Sequence, residues 1–418
     1  MSSRIPPHRA EPRLVYASEE EGESFVGAVS RGFHQDYVAE HWEVEKKVVE
    51  WDRAFGLKVQ DRWIATCGAF SRVMTVPGGQ VPVTAVTIVT VSPAYRRRGL
   101  LTQMMKHQLE DVQQRGTEPV ALLWASESLI YGRYGYGHAA PRVSISGPTR
   151  STAFLPTLQQ TPGSVDEVSR DEFLAAAPEL HSRLLAERPG GLNRSPEWWD
   201  VTLFDPEAWR HGATALRYAL HFDDAGAVDG YATFRLADGP GSDDAGREVR
   251  VGELDAAGAG AYAGLWRYLL DLDLVRTFSR RNAPADEPLR YLVADQRAIK
   301  TELQDATYAR LVDLPTALEA RSYSDDLDLV VEVRDPVLSA NDGLFWLQIA
   351  AGGARVTRTD GRPDLSLAIR ELGAGYLGGT PLNVLHRAGL VDEHTPGSVA
   401  AMSAAFSWPI PPFCPDFF

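Results

Sequence analysis

The sequence predicts a mixed α/β (α+β) protein with three successive domains, at residues 1–149, 150–298 and 299–418. In the first block a β-branched run, an arginine-rich loop and an amphipathic helix follow one another. In the second block helical and strand-like stretches alternate again, and in the third a group of short strands precedes two helices. A chain of 418 residues is long enough for two or three domains that each have their own core.

The first block contains a long hairpin, in which two strand-like runs at residues 63–76 and 80–91 flank a Pro-Gly-Gly turn. Most of the second run is apolar or threonine on both faces, which is typical of a strand inside a sheet. A helix with one apolar face begins at Leu100 and ends before Gly116. A further buried strand follows at residues 119–124, and a strand–helix–strand connection of this length makes the two strands parallel.

The second block repeats the alternation of helices and strands, whereas the third block offers four strands followed by two helices. The second block predicts strands at 218–222, 229–236 and 248–254 and helices at 171–187 and 261–272. The third block predicts strands at 329–333, 344–349, 354–359 and 364–369 and helices at 382–388 and 398–407. Since the second block has no counterpart of the arginine-rich loop, we expect it to bind no cofactor.

The loop before the first-block helix carries Arg96, Arg97 and Arg98, followed by Gly99. The N–H groups of a first helical turn have no partner within the helix, so this loop and turn together predict a site for an anion such as a pyrophosphate. No complete G-x-G-x-x-G follows a strand and no G-x-x-x-x-G-K-[ST] occurs, so Rossmann and P-loop folds lose their main support. A surface turn with solvated arginines is the remaining alternative.

Composition narrows the classes of function. The net charge of −14 argues against nucleic acid and would attract a polycationic substrate, although acidity for solubility explains the same value. Two cysteines and ten scattered histidines without ligand spacing predict no metal site. No apolar run approaches the roughly 20 residues of a membrane span, and the N-terminus lacks a signal-peptide pattern. We therefore expect a cytoplasmic protein without a membrane partner.

A second motif, Ala-Ser-Glu-Ser-Leu-Ile-Tyr-Gly-Arg-Tyr-Gly-Tyr-Gly, occupies residues 125–137. Together with Val-x-Val-x-Pro-x-x-Arg-Arg-Arg-Gly-Leu-Leu at residues 89–101, it resembles the enhanced intracellular survival (Eis) branch of the GNAT acyltransferase superfamily. The resemblance continues in order through residues 75–78, 189–192 and 315–321, so it spans essentially the whole chain.

This resemblance implies an architecture and an activity. Two GNAT-like domains would precede a sterol-carrier-like domain, in agreement with the three blocks. The protein would be an acetyl-CoA-dependent N-acetyltransferase acting on amines of a polycationic small molecule, such as an aminoglycoside, with a link to antibiotic resistance. Family members assemble as hexamers, so a homo-oligomer is implied. A lysine or cationic-peptide acetyltransferase and a non-catalytic acyl-CoA- or lipid-binding protein are the alternatives.

The resemblance also assigns residues to the cofactor. The buried strand would hydrogen-bond the pantetheine amides and polarise the thioester carbonyl through its main chain. The arginine-rich loop would hold the pyrophosphate, although the family signature [QR]-x-x-G-x-[GA] ends here in leucine. The implied cofactor-binding residues are Ile88, Val89, Val91, Arg96, Arg97, Arg98, Gly99, Leu100, Leu101, Ser126 and Glu127.

Acetyl transfer from a thioester to an amine requires a proton donor for the thiolate and a proton acceptor for the amine. Tyr131 matches the general acid of the family, and a phenol with a pKa of about 10 suits a leaving thiolate. Packing within an aromatic turn is the alternative role for this tyrosine. Residues 408–418 are rich in proline and aromatic side chains, and the resemblance makes the carboxylate of Phe418 the general base. A tail that only closes the domain is the alternative.

The substrate pocket is assigned by resemblance alone. Asp36, Tyr37 and Trp42 match its acidic and aromatic lining. The family often has an acidic residue one before the last, whereas here Asp416 lies two before the last. This displacement leaves the shape of the pocket and the regiochemistry open. An ordinary solvated helix position is the alternative for Asp36.

Overall fold

The computed structural model describes residues 11–158, 162–239, 246–350 and 352–418. The chain divides into two compact units. Unit 1 comprises Met1–Ala139, Thr307–Trp408 and Phe417–Phe418, and unit 2 comprises Ala140–Ala306 and Pro409–Asp416. The first and third blocks of the sequence thus contribute to the same unit. The domain boundaries that the sequence predicts at residues 149 and 298 stay a prediction.

The elements are numbered in chain order. The strands are β1 Arg13–Tyr16, β2 Phe55–Val59, β3 Arg62–Val76, β4 Gly79–Val91, β5 Val120–Trp124, β6 Gly137–Pro148, β7 Ser164–Val168, β8 Arg217–Phe222, β9 Val228–Asp238, β10 Arg247–Ala256, β11 Val275–Ala283, β12 Lys300–Leu311, β13 Leu327–Arg334, β14 Gly343–Ala350, β15 Gly353–Arg358, β16 Leu365–Ala368 and β17 Val391–Glu393. The α-helices are α1 Gly22–Gly32, α2 Ala39–Glu45, α3 Leu100–Arg115, α4 Ser128–Tyr131, α5 Arg170–Leu185, α6 Pro196–Thr202, α7 Ala259–Leu270, α8 Leu289–Leu292, α9 Leu314–Glu319, α10 Ile369–Gly375, α11 Leu382–Arg387 and α12 Ser398–Phe406.

The first sheet of unit 1 has the order β1-β2-β3-β4-β5-β12. Strands β4 and β5 are parallel, which confirms the strand–helix–strand unit predicted around α3. The predicted hairpin of β3 and β4 is also confirmed. Helix α3 buries Met104, Met105, Leu109 and Val112, so its apolar face belongs to the core that covers this sheet. This arrangement fixes the N-terminus of α3 near the end of β4.

The second sheet of unit 1 has the order β15-β14-β13-β16-β17. All four strands predicted for the third block are present, and β16 passes directly into α10 at Ile369. Strand β12 joins the first sheet because residues Thr307 to Leu311 pair antiparallel with β5. The third block is therefore connected to the strand that leads into the second sequence motif.

Unit 2 contains the strands β6-β11-β10-β9-β8-β7 in that order. Strands β10 and β11 are parallel and are connected by α7, so unit 2 also contains a strand–helix–strand element, although its second strand was not predicted. Trp266 of α7 is fully buried against Phe278 of β11, with ring centroids 5.6 Å apart. Among the described residues, no helix combines the length and apolar character that crossing a membrane requires.

The packing of α3 generates a stability prediction. Leu109 is fully buried, so Leu109→Ala should lower the free energy of unfolding by about 2–5 kcal/mol through lost burial and a residual cavity. Its exposed neighbour Glu110 provides the control substitution Glu110→Ala. Urea unfolding of both variants measures the difference, and equal stabilities would contradict this account of the α3 core.

Candidate functional site

Strand β4 contains a β-bulge near its C-terminal end. Thr66 and Thr90 face each other across β3 and β4, but the next aligned pair is Gly68 and Thr87, so two β4 residues stand opposite one β3 residue. Ile88, one of the two, has a φ of 48°, a value that is rare for a β-branched side chain. The Thr66 hydroxyl donates to the Ile88 carbonyl oxygen at 2.8 Å and stabilises this conformation.

The bulge separates β4 from β5. Their parallel pairing covers Val83–Val86 of β4, before the bulge. Beyond it, the Ser92 N–H donates to the Ile64 carbonyl of β3 at 2.8 Å. Successive N–H groups along a strand point to opposite edges. Since the Ser92 N–H points toward β3, the N–H groups of Val91 and Val89 point toward the opposite edge, where β5 no longer pairs with β4. This edge offers main-chain donors and acceptors to an extended, amide-containing ligand.

The N-terminus of α3 offers a site for an anion. Gly99 caps the helix with a φ of 78°, and no side chain caps its first turn. A Cβ atom on Gly99 would meet nothing within 4 Å, so the backbone angle rather than space favours glycine here. The N–H groups of Leu100, Leu101 and Thr102 consequently form the positive end of a 16-residue helix.

Two arginines of the loop, Arg96 and Arg98, donate hydrogen bonds to nearby main-chain carbonyl groups. Arg96 donates from Nε to the Val91 carbonyl at 3.3 Å. Arg98 donates to the Ala94 carbonyl at 3.1 Å and lies over the Tyr95 ring at 5.1 Å. Arg97 adopts a φ of 61°. The loop is thus shaped by side-chain contacts, while the charge of its arginines adds to the field of the helix end.

These elements border one cavity of about 570 Å³ within unit 1. Its lining consists of Gly32, Phe33, His34, Val89, Thr90, Val91, Tyr95, Arg96, Arg97, Gly99, Leu100, Leu101, Thr102, Ser126, Glu127, Ile130, Tyr131, Arg133 and Tyr134. Two residues assigned to the cofactor, Ile88 and Arg98, belong to the described part of the chain but lie outside this lining. Ile88 instead packs in the bulge against Gly68, and Arg98 stacks on the loop.

Some lining residues were not identified from the sequence. Phe33 and His34 follow α1, and His34 has a φ of 59° that is unusual for a residue other than glycine. Thr102 was missed although it lies in the first turn of α3. No sequence pattern shows which cavity the residues after α1 border. Thr102, in contrast, lies in the helical turn that follows Gly99, so the predicted anion site at that turn could have identified it.

Tyr131 lines this cavity and is only 7% exposed. Burial, with a smaller contribution from the carboxylate of Glu127, raises the pKa of the Tyr131 phenol above its usual value of about 10. The phenol therefore keeps its proton at neutral pH. Its ring contacts Tyr136 edge to face, with centroids 6.1 Å apart. Tyr131 is consequently able to donate a proton rather than to accept one.

The residues assigned to the acceptor have different surroundings. Asp36 is exposed in the segment between α1 and α2, and Tyr37 is half-buried. Burial, followed by the carboxylates of Glu23 and Glu43, raises the pKa of Tyr37, and Lys46, which pairs with Glu43, partly opposes this effect. Trp42 instead packs against Trp51, with ring centroids 6.0 Å apart, and is 9% exposed. Its contribution to a pocket stays a prediction.

The last residues of the sequence divide between the two units. In unit 2, the Asp416 carboxylate accepts a hydrogen bond from Arg194 Nε at 2.8 Å, and its side chain is 3% exposed. The predicted role of Asp416 in acceptor binding stays a prediction. One oxygen of its carboxylate forms an ion pair with Arg194. In unit 1, the Phe417 ring lies 4.1 Å from the Trp124 ring, between centroids. Trp124 ends β5, directly before the motif that contains Tyr131.

The described residues contain no group of three or more His, Cys, Asp or Glu side chains arranged to hold a metal ion. The cavity itself is bordered by main-chain amides, a helix N-terminus, the guanidinium groups of Arg96, Arg97 and Arg133, the carboxylate of Glu127 and the phenol of Tyr131. This set can bind a pyrophosphate and an amide-containing chain, and it can protonate a leaving group.

Comparisons with known proteins agree with this geometry. Residues 13–139 and 190–311 each match an acetyltransferase (GNAT) domain, and residues 314–415 match a sterol carrier protein domain. The predicted order of two GNAT domains and a sterol-carrier-like domain is confirmed. GNAT acetyltransferases use acyl-CoA.

Relatives cover nearly the whole chain. An uncharacterized N-acetyltransferase from Streptomyces coelicolor is 38% identical over 419 residues, which cover 98% of this chain and 99% of that protein. N-acetyltransferase Eis from Mycobacterium tuberculosis is 33% identical over 350 residues, 81% of each protein. The crystal structure of Eis1 from Mycobacterium abscessus gives a TM-score of 0.83 at 33% identity and covers 97% of this chain and 100% of that chain. The chain therefore belongs to the Eis family of GNAT N-acetyltransferases and is an acyltransferase.

Proposed function

We propose that this enzyme transfers the acetyl group of acetyl-CoA to an amine of a polycationic small molecule of the aminoglycoside type. The observation that supports the proposal is the single cavity bordered by the free edge of β4, the first turn of α3 and Tyr131. These are the parts that binding a coenzyme A thioester and releasing its thiolate require.

In this proposal the coenzyme supplies the acyl thioester and the protein supplies its binding groups. The pyrophosphate lies at the N–H groups of Leu100 and Leu101, beside the positive charge of Arg96 and Arg97. The pantetheine amides pair with the main chain of Val89 and Val91, as an added strand would. Main-chain amides in a water-poor cavity also stabilise the oxyanion that forms on the thioester carbonyl. Ser126 and Glu127 border the same cavity and complete the proposed cofactor contacts.

Two proton transfers complete the reaction. Tyr131 donates the phenolic proton to the sulfur of the leaving thiolate. The proposed acceptor of the amine proton is the α-carboxylate of Phe418. An α-carboxylic acid of pKa about 3.5 and an ammonium of pKa about 9 differ by a free energy of about 7 kcal/mol, so this carboxylate is a poor base for the ammonium itself. The acceptor therefore reacts as the neutral amine, whose lone pair forms the carbon–nitrogen bond while the carbonyl electron pair moves to oxygen. The carboxylate then accepts a proton from the positively charged nitrogen of the tetrahedral intermediate, which is far more acidic than a free ammonium, and the carbon–sulfur bond breaks as the thiolate takes the proton of Tyr131.

The acidic surroundings of Tyr37 support a cationic acceptor. Glu23 and the exposed Asp36 place negative charge in this part of unit 1, whereas Glu43 pairs with Lys46, and the chain carries a net charge of −14. A small polyamine bearing several ammonium groups would gain more from this field than a single lysine side chain. The homohexameric assembly and the cytoplasmic location stay predictions.

An assay of thiol release from acetyl-CoA tests the proposal directly. Parallel reactions contain a kanamycin-type aminoglycoside, a lysine-containing cationic peptide or no acceptor. We expect release to depend on the aminoglycoside. Thiol release in the peptide reaction but not in the aminoglycoside reaction would show that the acceptor is a peptide. Equal thiol release in all three reactions, including the one without an acceptor, would contradict the proposed transfer.

The first prediction concerns the pyrophosphate site. Gly99→Asp should weaken acetyl-CoA binding by about 10-fold or more, because a carboxylate would stand at the helix N-terminus where the anion binds. Gly99→Asn is the matched control, since it has nearly the same shape and backbone cost without the charge. Calorimetry measures both affinities. Equal affinities in the two folded variants would show that the anion binds elsewhere.

The second prediction concerns the proposed acid. Tyr131→Phe should lower kcat by about 10²-fold or more, with little change in acetyl-CoA affinity, because only proton donation is removed. Since the pKa of Tyr131 is raised, the protonated form persists through neutral pH, and kcat of the wild type should show no Tyr131-dependent decline below about pH 10. Wild-type turnover in the variant, or a decline near neutral pH that the variant abolishes, would remove Tyr131 from this role.

The third prediction concerns the carboxylate of Phe418. A short extension after Phe418 moves the carboxylate, so it should reduce kcat strongly while an N-terminal extension does not. Phe418→Leu retains the carboxylate and much of the apolar side chain, and it should keep more activity than the extended protein. Thermal melts verify that all variants fold. Full activity of the C-terminally extended enzyme would place the base elsewhere, with Asp36 and Glu40 as the next candidates.

A further inference from the structure

The catalytic turn, defined as residues 131–137, packs directly against the sterol-carrier-like domain within unit 1. A Cβ atom on Gly137 would lie 1.9 Å from the Arg370 carbonyl oxygen and 2.4 Å from the Ala374 nitrogen, both in the α10 backbone. A Cβ atom on Gly135 would lie 2.8 Å from an Ile369 side-chain carbon. The glycines of this turn therefore permit backbone contact with α10, and the turn lies against that helix.

A second contact holds the turn from β12. Arg310 has no exposed side-chain surface, and its Nε donates to the Tyr134 carbonyl oxygen at 2.9 Å. Tyr134 lies three residues after Tyr131 in the same turn, which returns on itself through a hydrogen bond of 3.3 Å from the Tyr136 N–H to the Tyr131 carbonyl. The guanidinium group thus fixes the main chain that carries the proposed acid.

Arg310 is itself held by the sterol-carrier-like domain. Its Nη2 donates to Asp335 Oδ2 at 2.6 Å, and neither side chain is exposed. Asn341 Nδ2 donates to the same Asp335 oxygen at 3.2 Å, and the other Asp335 oxygen accepts from the N–H groups of Val337 and Leu338 at 3.0 and 3.1 Å. A buried charge pair with this many additional hydrogen bonds has one well-defined geometry.

The opposite side of the turn is tied to the cofactor helix. The Tyr134 hydroxyl forms a hydrogen bond of 3.0 Å with the Thr102 hydroxyl in the first turn of α3. Tyr134 is therefore bound through its carbonyl to Arg310 and through its hydroxyl to the helix that carries the proposed pyrophosphate site. These two bonds connect the turn that carries Tyr131 to the helix end at which the pyrophosphate is proposed to bind.

We infer that the sterol-carrier-like domain serves as a rigid support for the catalytic turn, and that Arg310 is a positioning residue which orients Tyr131 through the carbonyl of Tyr134. The role assigned to Tyr131 rests on the proposed function, whereas the support itself rests on the contacts of Arg310 and α10. Arg310 touches no reacting atom. It acts by limiting the orientations of the turn, on which the geometry of proton donation depends.

Hydrogen exchange measured by mass spectrometry tests the support without reference to activity. Arg310→Lys retains the charge opposite Asp335, but a single ammonium cannot reproduce the three directed hydrogen bonds of the guanidinium group, from Nε to Tyr134, from Nη2 to Asp335 and from Nη1 to the Leu311 carbonyl at 2.6 Å. We expect faster exchange in peptides that cover residues 128–138. Arg53→Lys is the matched control, because Arg53 is 7% exposed and donates to Glu118 at 2.8 Å, near the beginning of β5. Unchanged exchange of the turn in folded Arg310→Lys protein would overturn the inferred support.

Kinetics then tests whether the support acts through Tyr131. Arg310→Lys should lower kcat by about 10-fold with KM for acetyl-CoA nearly unchanged, while Arg53→Lys leaves kcat near the wild-type value. In the Tyr131→Phe background, Arg310→Lys should have little further effect on kcat, because the group it orients is gone. Multiplying effects in the double variant would overturn the positioning role. Wild-type kcat in Tyr131→Phe would contradict the proposed acid, and hydrogen exchange would still decide the support.

Discussion

The site depends first on the β-bulge in β4, where Ile88 and its neighbour stand opposite one residue of β3. A regular strand would continue its ladder with β5 to the end and would consume the amides of Val89 and Val91. The bulge ends this pairing after Val86. The Thr66 hydroxyl bonds to the Ile88 carbonyl and helps to offset the cost of a positive φ at a β-branched residue. The edge that we propose to bind the pantetheine thus exists together with backbone strain at Ile88.

A strand–helix–strand element occurs in both units, but the two helices begin differently and have side chains of opposite charge near their N-termini. In unit 1 the helix begins at Gly99 with a φ of 78° after three arginines, whereas in unit 2 α7 begins after Gly258 in an extended conformation. The cavity beside Gly258 is lined by Asp223, Asp224 and Asp229. These carboxylates would repel a phosphate, so the helix dipole alone does not create a pyrophosphate site. The expectation that the second GNAT domain binds no cofactor has a physical basis in this charge.

The sequence predicted elements well where apolar periodicity was strong. Helix α3 and strands β4 and β5 follow directly from their buried residues, and buried residues recur at alternate positions in β14 and at the end of β13. Strands β1, β2, β6, β7, β11, β12 and β17 were not identified from the sequence. In β11 and β12 a buried arginine interrupts the apolar pattern. Arg280 pairs with Glu287 at 2.8 Å and Arg310 with Asp335, partners that no local pattern reveals. The motif residues were found, but the support behind them is a long-range property of the fold.

The site was predictable to the extent that its residues lie in contiguous motifs. Val89, Gly99 and Tyr131 come from two short stretches, and all three border one cavity. Trp42 and Asp416 were assigned by resemblance, yet their surroundings depend on Trp51 and Arg194, which lie elsewhere in the chain. Burial and pairing of such residues depend on the tertiary structure. They determine what a side chain contacts, but no nearby sequence pattern reveals them.

A crystal structure of the protein with coenzyme A would test the central claim most directly, that the bulged edge of β4 and the N-terminus of α3 together form the coenzyme site. We expect main-chain hydrogen bonds between the pantetheine amides and Val89 and Val91, with the pyrophosphate at the N–H groups of Leu100 and Leu101. Coenzyme A bound away from β4, or β4 paired with β5 beyond Val86 in the complex, would contradict it.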